Sequence, residues 1–195
     1  MIRLALLRHG HTPWNRAGRI QGRSDIALDE DARADLAKLM LPAPWDRADL
    51  VASPLSRAQE TAQLVGGRAP VTATALTEMF WGNWEGLQGI NLKADPTSGF
   101  RDIEDWGWAY RPPGGESPGD VWNRLEPWVN GLTADTVAVT HIGIMRVLLA
   151  RATGWNFDGP APFRIKRNRL FVINIGPELS LSPEDPVRLI DRPAT

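Results

Sequence analysis

Arg8-His9-Gly10 directly follows the apolar run Ile2–Leu7, so an arginine, a histidine and a glycine stand where a strand ends. Near neutral pH an imidazole carries a free lone pair and is a nucleophile. A guanidinium beside it neutralises phosphate charge and disfavours the protonated ring. Glycine lets the backbone come close. The chemistry these three suit is attack on a phosphate. The chain has three histidines, His9, His11 and His141, and each falls in a short polar segment after a strand-like run.

Arg57, Glu78 and His141 extend the set. A phosphoryl transition state is loose and spreads negative charge over its equatorial oxygens. Arg8 and Arg57 offer forked donors to those oxygens, and His141 offers a third. Backbone amides at the helix start after His141, beginning with Ile142, also attract anions. A leaving alkoxide needs a proton, which a nearby carboxylic acid gives. None of these steps calls for a metal or another cofactor.

Plainer readings stand beside these. His9 and His141 each suit a hydrogen-bonded histidine at a strand end. Arg57 could pair with Glu60 on the surface. A cation in a helix's first turn opposes the macrodipole, however, and a bound anion accounts for it better. His11 either lines the leaving-group side or points to water, and water is expected. Glu85, Glu116 and Asp120 compete with Glu78 as the acid, and Glu85 also reads as structural. A three-histidine metal site is a rival on composition. Arg8 opposes it, because a fixed cation repels a divalent ion.

The positioning elements follow from periodicity and caps. Ile2–Leu7 reads as a buried strand. Asp29 opens a helix with Leu28, Ala32, Leu36 and Leu39 on one face, ending before Pro42. Leu50–Ala52 is a second strand, and Ser53-Pro54 reads as the N-cap and first residue of a helix ending at Gly66-Gly67. Val71–Leu76 is a third strand. Gly82–Gly119 has no sustained period and is rich in Gly, Pro and Trp; it reads as a lid-like excursion at about 82–119 over one sheet end. Ser117-Pro118 starts a helix, with Asp120 completing a capping box. Pro127 is expected to kink or split that helix. Thr136–Thr140 is a strand, followed by a helix to Gly154. Leu170–Ile175 is a strand and Val187–Ile190 an edge strand. Strands alternating with helices imply an α/β three-layer sandwich: a mostly parallel central sheet with helices on both faces. Ligands bind such sheets beyond the carboxyl ends of the strands, where Arg8, His9, Arg57 and His141 fall.

At 195 residues the chain suits one domain spanning 1–195. A formal net charge of −1 provides no global basic field for nucleic acid. Without cysteine there is no thiolate chemistry and no zinc–thiolate site. The first apolar run is short and carries Arg3, fitting neither a signal peptide nor a membrane span. A cytoplasmic protein without membrane partners is expected, with a homodimer as the assembly to test. Of nine tryptophans, five (Trp81, Trp84, Trp106, Trp108 and Trp122) cluster centrally.

Five motifs now carry a resemblance. They are Leu7-Arg8-His9-Gly10-His11-Thr12 with Trp14-Asn15 and Gln21-Gly22; Ser53–Ala62; Leu76–Gly86; Pro113-Gly114-Gly115-Glu116-Ser117; and Val139-Thr140-His141-Ile142-Gly143. In this order the chain resembles the histidine phosphatase superfamily, the phosphoglycerate mutase-like proteins. The Trp84-Glu85-Gly86 run is typical of phosphatase members, including those resembling alpha-ribazole phosphatase. The resemblance implies that His9 becomes phosphohistidine. It implies that Arg8, Arg57 and His141 bind the phosphoryl group, with a hydrogen bond from Asn15. Glu78 would protonate the leaving group and then activate water, and Gln21 and Gly22 would lie near substrate. Ile142 stands where many relatives have glycine, a position where a backbone donor needs no particular side chain. Mutases usually read Glu-Arg-His-Tyr-Gly at the acid motif, whereas Met79 and Phe80 follow Glu78 here.

The expected activity is metal-independent hydrolysis of a small phosphorylated metabolite, with the aromatic excursion selecting the leaving group. Mutase-type transfer is the second hypothesis. A phospho-ligand-binding protein without turnover is the third.

Overall fold

The computed structural model describes residues 1–184 and 186–193. In chain order its elements are β1 (Ile2–Arg8), α1 (Pro13–Arg16), α2 (Glu30–Ala37), β2 (Leu39–Met40), β3 (Asp49–Ala52), α3 (Ser56–Gly66) and β4 (Val71–Thr72). Then come α4 (Gly89–Ala94), α5 (Pro118–Asn130), β5 (Thr136–Thr140), α6 (Ile142–Thr153), β6 (Arg169–Ile175), β7 (Ser180–Leu181), β8 (Val187–Arg188) and β9 (Ile190–Asp191).

The main sheet has seven strands in the order β4-β3-β5-β1-β6-β7, with β8 also pairing with β6. β4, β3, β5 and β1 are mutually parallel, and β6 turns antiparallel against β1. The fold is therefore α/β with a mostly parallel sheet, as the sequence predicts. Alternation along β1 explains its central place. Leu4 and Leu6 pack one way with Val121, Leu125, Ile144 and Leu148 of α5 and α6. Ala5 and Leu7 pack the other way with Ala32, Leu36, Ala58 and Ala62 of α2 and α3. β5 is buried along its whole length.

Some elements differ from expectation. Ser53-Pro54 does not cap α3: Leu55 is the N-cap, without a side-chain bond. Ser53 is drawn away because its Oγ meets His141 at 2.7 Å. β4 stops at Thr72, and Thr74–Leu76 closes into a 3₁₀ turn that ends just before Glu78. Pro127 does not split α5, which runs through Asn130. The residue lies near the helix end, and the Asn123 carbonyl it leaves unbonded is on an exposed residue. The stretch Val187–Ile190 forms two short strands, one on β6 and one on β2. The segment 82–119 contains α4 and 3₁₀ turns at Gly82–Trp84 and Ile103–Asp105. Trp84 and Trp106 are buried there with Phe100 and Tyr110 around them.

Candidate active site

Three adjacent parallel strands bring the chemistry together. His9 N donates to Thr140 O at 3.0 Å, and Ser53 N donates to Val139 O at 3.0 Å. Thus β1, β5 and β3 end side by side, delivering His9, His141 and Ser53 to one edge. The His9 and His141 rings stand 5.1 Å apart.

Each ring is oriented by a specific partner. His9 Nδ1 lies 2.6 Å from Gly10 O. A carbonyl can only accept, so Nδ1 carries the proton and Nε2 keeps its lone pair. Burial, then Arg57 and Arg8, holds the His9 pKa well below the ordinary histidine value, so the ring stays neutral. His141 Nε2 meets Ser53 Oγ, which also accepts from Leu55 N at 3.3 Å. His141 Nε2 is the acceptor within reach of that hydroxyl proton. Where the Ser53 hydroxyl donates to Nε2, the His141 proton sits on Nδ1, which is buried without a partner. Burial, then His9 and Arg57, lowers its pKa too.

Arg57, second in α3, is fully buried. It donates from its two terminal nitrogens to Ser24 O and Gly22 O, each at 2.8 Å. Glu60 instead pairs with Arg33. Gly22 has φ +53°, and a side chain there would collide with Glu85. Glu85 accepts from Arg23 N, Ser24 N and Trp81 N, so it clamps this loop. A second tie joins the two arginine motifs: Gly10 N donates to Thr61 Oγ1, which donates to Arg57 O. Burial pushes the Arg8 pKa down to about 10, and no acceptor meets its Nε.

Glu78 is 5 % exposed. Its carboxylate accepts from Met79 N at 2.8 Å and from Gly143 N, in the first turn of α6, at 3.3 Å. Burial raises its pKa above the ordinary carboxylate value, although those donors and Arg57 oppose the rise. Glu116 does not compete: it accepts from Phe80 N and pairs with Arg23 and Arg124. Asp120 is taken by the capping box of α5.

Asn15 Oδ1 accepts from Thr12 N at 3.3 Å and from Arg167 at 2.9 Å, so its amide nitrogen is the end left to donate. Gln21 is buried and accepts from Thr12 Oγ1, supporting α1 from behind. Ile142 begins α6 and lines a cavity together with Arg146, Trp155 and Phe163. His11 is half-buried with a shielded Nδ1, so it does not simply point to water. Among the described residues no group of three or more acidic or histidine side chains is placed to hold a metal ion.

Three arginines escaped the sequence reading. Arg124 of α5 donates to the carbonyls of Ala75, Thr77 and Glu78, fixing the backbone around Glu78. Arg167 bridges His9 O and Asn15 Oδ1. Arg146 lies one turn beyond Ile142 on α6, and that four-residue spacing was a readable signal. Arg167, in a loop, carried none.

A family model described as histidine phosphatase superfamily (branch 1) matches residues 4–179. The chain is 34 % identical over 166 residues to glucosyl-3-phosphoglycerate phosphatase of Mycobacterium tuberculosis, covering 76 % of this chain and 74 % of that one. It is 32 % identical over 174 residues to the adenosylcobalamin/alpha-ribazole phosphatase of Salmonella typhimurium, covering 80 % and 85 %. A crystal structure of phosphoglycerate mutase from Thermus thermophilus superposes with a TM-score of 0.73 at 31 % identity, covering 97 % of this chain and 99 % of that one.

Proposed function

The chain belongs to the histidine phosphatase superfamily and is a phosphatase of that family, and we propose that it hydrolyses a small phosphomonoester through a phosphohistidine at His9. The observation that carries this reading is a set of three buried donors without protein acceptors, Arg8 Nε, Arg57 Nε and His141 Nδ1, beside a neutral imidazole with a free Nε2. Such orphans are costly unless an anion meets them.

In the first step His9 Nε2 attacks phosphorus as the ester P–O bond breaks. Glu78, whose neutral form burial favours, gives its proton to the departing oxygen. Arg8, Arg57, His141 Nδ1–H and the Asn15 amide hold the equatorial oxygens. In the second step the Glu78 carboxylate takes a proton from water, which attacks phosphorus and breaks the P–N bond. Inorganic phosphate and neutral His9 result.

Met79 favours hydrolysis over mutase-type transfer. It is 1 % exposed and packs into the core, so it offers no contact to a substrate carboxylate.

The test is acid–base lability of trapped label. Enzyme denatured during turnover of a ³²P-labelled monoester is expected to carry phosphate that is labile in acid and stable in base. His9→Ala should carry none and lose at least about 10³-fold in kcat/KM. Full activity in His9→Ala would refute the proposal.

A further inference from the structure

Arg167 reaches the site from the loop between α6 and β6. β6 runs antiparallel to β1 with Leu170 opposite Leu7, so the residues just before β6 pass the end of β1, where His9 stands. Asn168 has φ +57°, a left-handed bend that asparagine tolerates better than most residues. Its carbonyl accepts from Leu189 N at 3.1 Å, which ties the bend down. Arg167 Nε donates to His9 O at 3.2 Å, and Nη2 donates to Asn15 Oδ1 at 2.9 Å. One planar guanidinium thus spans the backbone of His9 and the side chain of Asn15. Both acceptors are neutral oxygens. Burial lowers the Arg167 pKa to about 10, which still leaves it charged at neutral pH. Neutral acceptors repay the burial of a cation poorly, so stability alone does not account for this placement.

The consequence falls on Asn15. A half rotation of its amide exchanges two ends that act oppositely on a phosphate: the NH2 donates to it and the oxygen repels it. The capping box of α1 offers Thr12 N to Oδ1 at 3.3 Å, a long contact that holds the amide weakly. A guanidinium has donors only, so the end that faces Arg167 must be the oxygen. That bond is shorter and charge-assisted, and it decides the orientation that the capping box leaves loose.

We infer that Arg167 is a positioning residue for phosphoryl transfer: braced on His9 O, it locks the Asn15 amide with its NH2 free for an equatorial oxygen. The inference rests on the phosphatase reading above. A donor set in advance needs no reorganisation as charge develops on the phosphoryl group, so its loss is felt in kcat more than in KM.

The experiment is a double-mutant cycle with p-nitrophenyl phosphate as substrate and orthovanadate affinity measured beside it by calorimetry. Arg167→Gln alone should lower kcat at least about tenfold and leave KM within about threefold, the pattern of a misplaced transition-state donor. The orthovanadate Kd should rise by a similar factor. In an Asn15→Ala background the same substitution should cost less than about threefold, because its effect passes through the amide. Arg167→Lys keeps the charge without the fork and should recover only part of the loss. Three results overturn the inference: full activity in Arg167→Gln, equal losses with and without Asn15, or full activity in Arg167→Lys. The second would make Arg167 act independently of Asn15, and the third would make charge alone sufficient. Melting midpoints report folding, and Arg167→Lys carries the cycle if Arg167→Gln does not fold. A wild-type chain that releases no phosphate would instead bring down the phosphatase reading, while the cycle read in orthovanadate Kd still judges the role of Arg167.

Discussion

One carbonyl decides the state of the proposed nucleophile. Gly10 O occupies the Nδ1 proton of His9, so Nε2 is the atom left to react. Burial, with Arg57 and Arg8 beside it, holds the His9 pKa well below the ordinary histidine value, while burial raises the Glu78 pKa above the ordinary carboxylate value. The proposed first step needs neutral His9 and protonated Glu78. Activity should therefore rise as pH climbs through the depressed histidine pKa and fall as it climbs through the raised carboxyl pKa. The expected profile of kcat/KM is a bell on the acidic side of neutral. Glu78→Gln should lower kcat by about 10²–10⁴ and abolish the alkaline limb. An alkaline limb that stays in place would assign it to another group.

Elements position the proposed acid more than its own segment does. Glu78 follows a 3₁₀ turn, is held along its backbone by Arg124 from α5, and rests its carboxylate on the first turn of α6. Gly143 makes that rest available, since a Cβ there would strike Glu78 Oε1. Gly143→Ala should therefore displace the carboxyl and lower kcat at least about tenfold, the scale of a misplaced catalytic group. The thermal midpoint should change little, because alanine favours the helix by roughly 0.5–1 kcal/mol over glycine. Calorimetry beside steady-state kinetics separates the two effects, and equal loss of both would show a folding defect. The Pro113–Glu116 segment has a comparable supporting part. Gly82 and Gly115 sit where a side chain would meet opposing backbone, and Asn83 N and Glu116 N cross-link the two stretches.

The whole molecule carries a net charge of −1, yet it gathers Arg8, Arg57, Arg146 and Arg167 about one sheet edge. Burial lowers the pKa of all four, most clearly in Arg8 and Arg167 at about 10. Such a cluster gains from an anion. Saturating orthovanadate or phosphate, at 100-fold over Kd, should stabilise the fold by about 2.7 kcal/mol. For a chain of this size that raises the melting midpoint by about 5–10 °C. Arg57→Gln should lose most of the shift, and a shift of the same size in that variant would place the anion elsewhere.

The sequence by itself determined the strands that end at His9 and His141, the α/β class and the residue types of the site, because apolar period and motif order are local properties. The capping box of α5 was legible for the same reason: Ser117 and Asp120 are three residues apart. Long-range competition hid the rest. Ser53 looks like a helix cap until β3 and β5 lie in register and His141 claims its hydroxyl. Arg167 meets Asn15 from 152 residues away, and Arg124 reaches the backbone of Glu78 from another helix. Which nitrogen of each histidine holds its proton, and which carboxyl is buried enough to keep one, depends on neighbours that only packing brings near. Those contacts, not the motifs alone, decided how this site is charged.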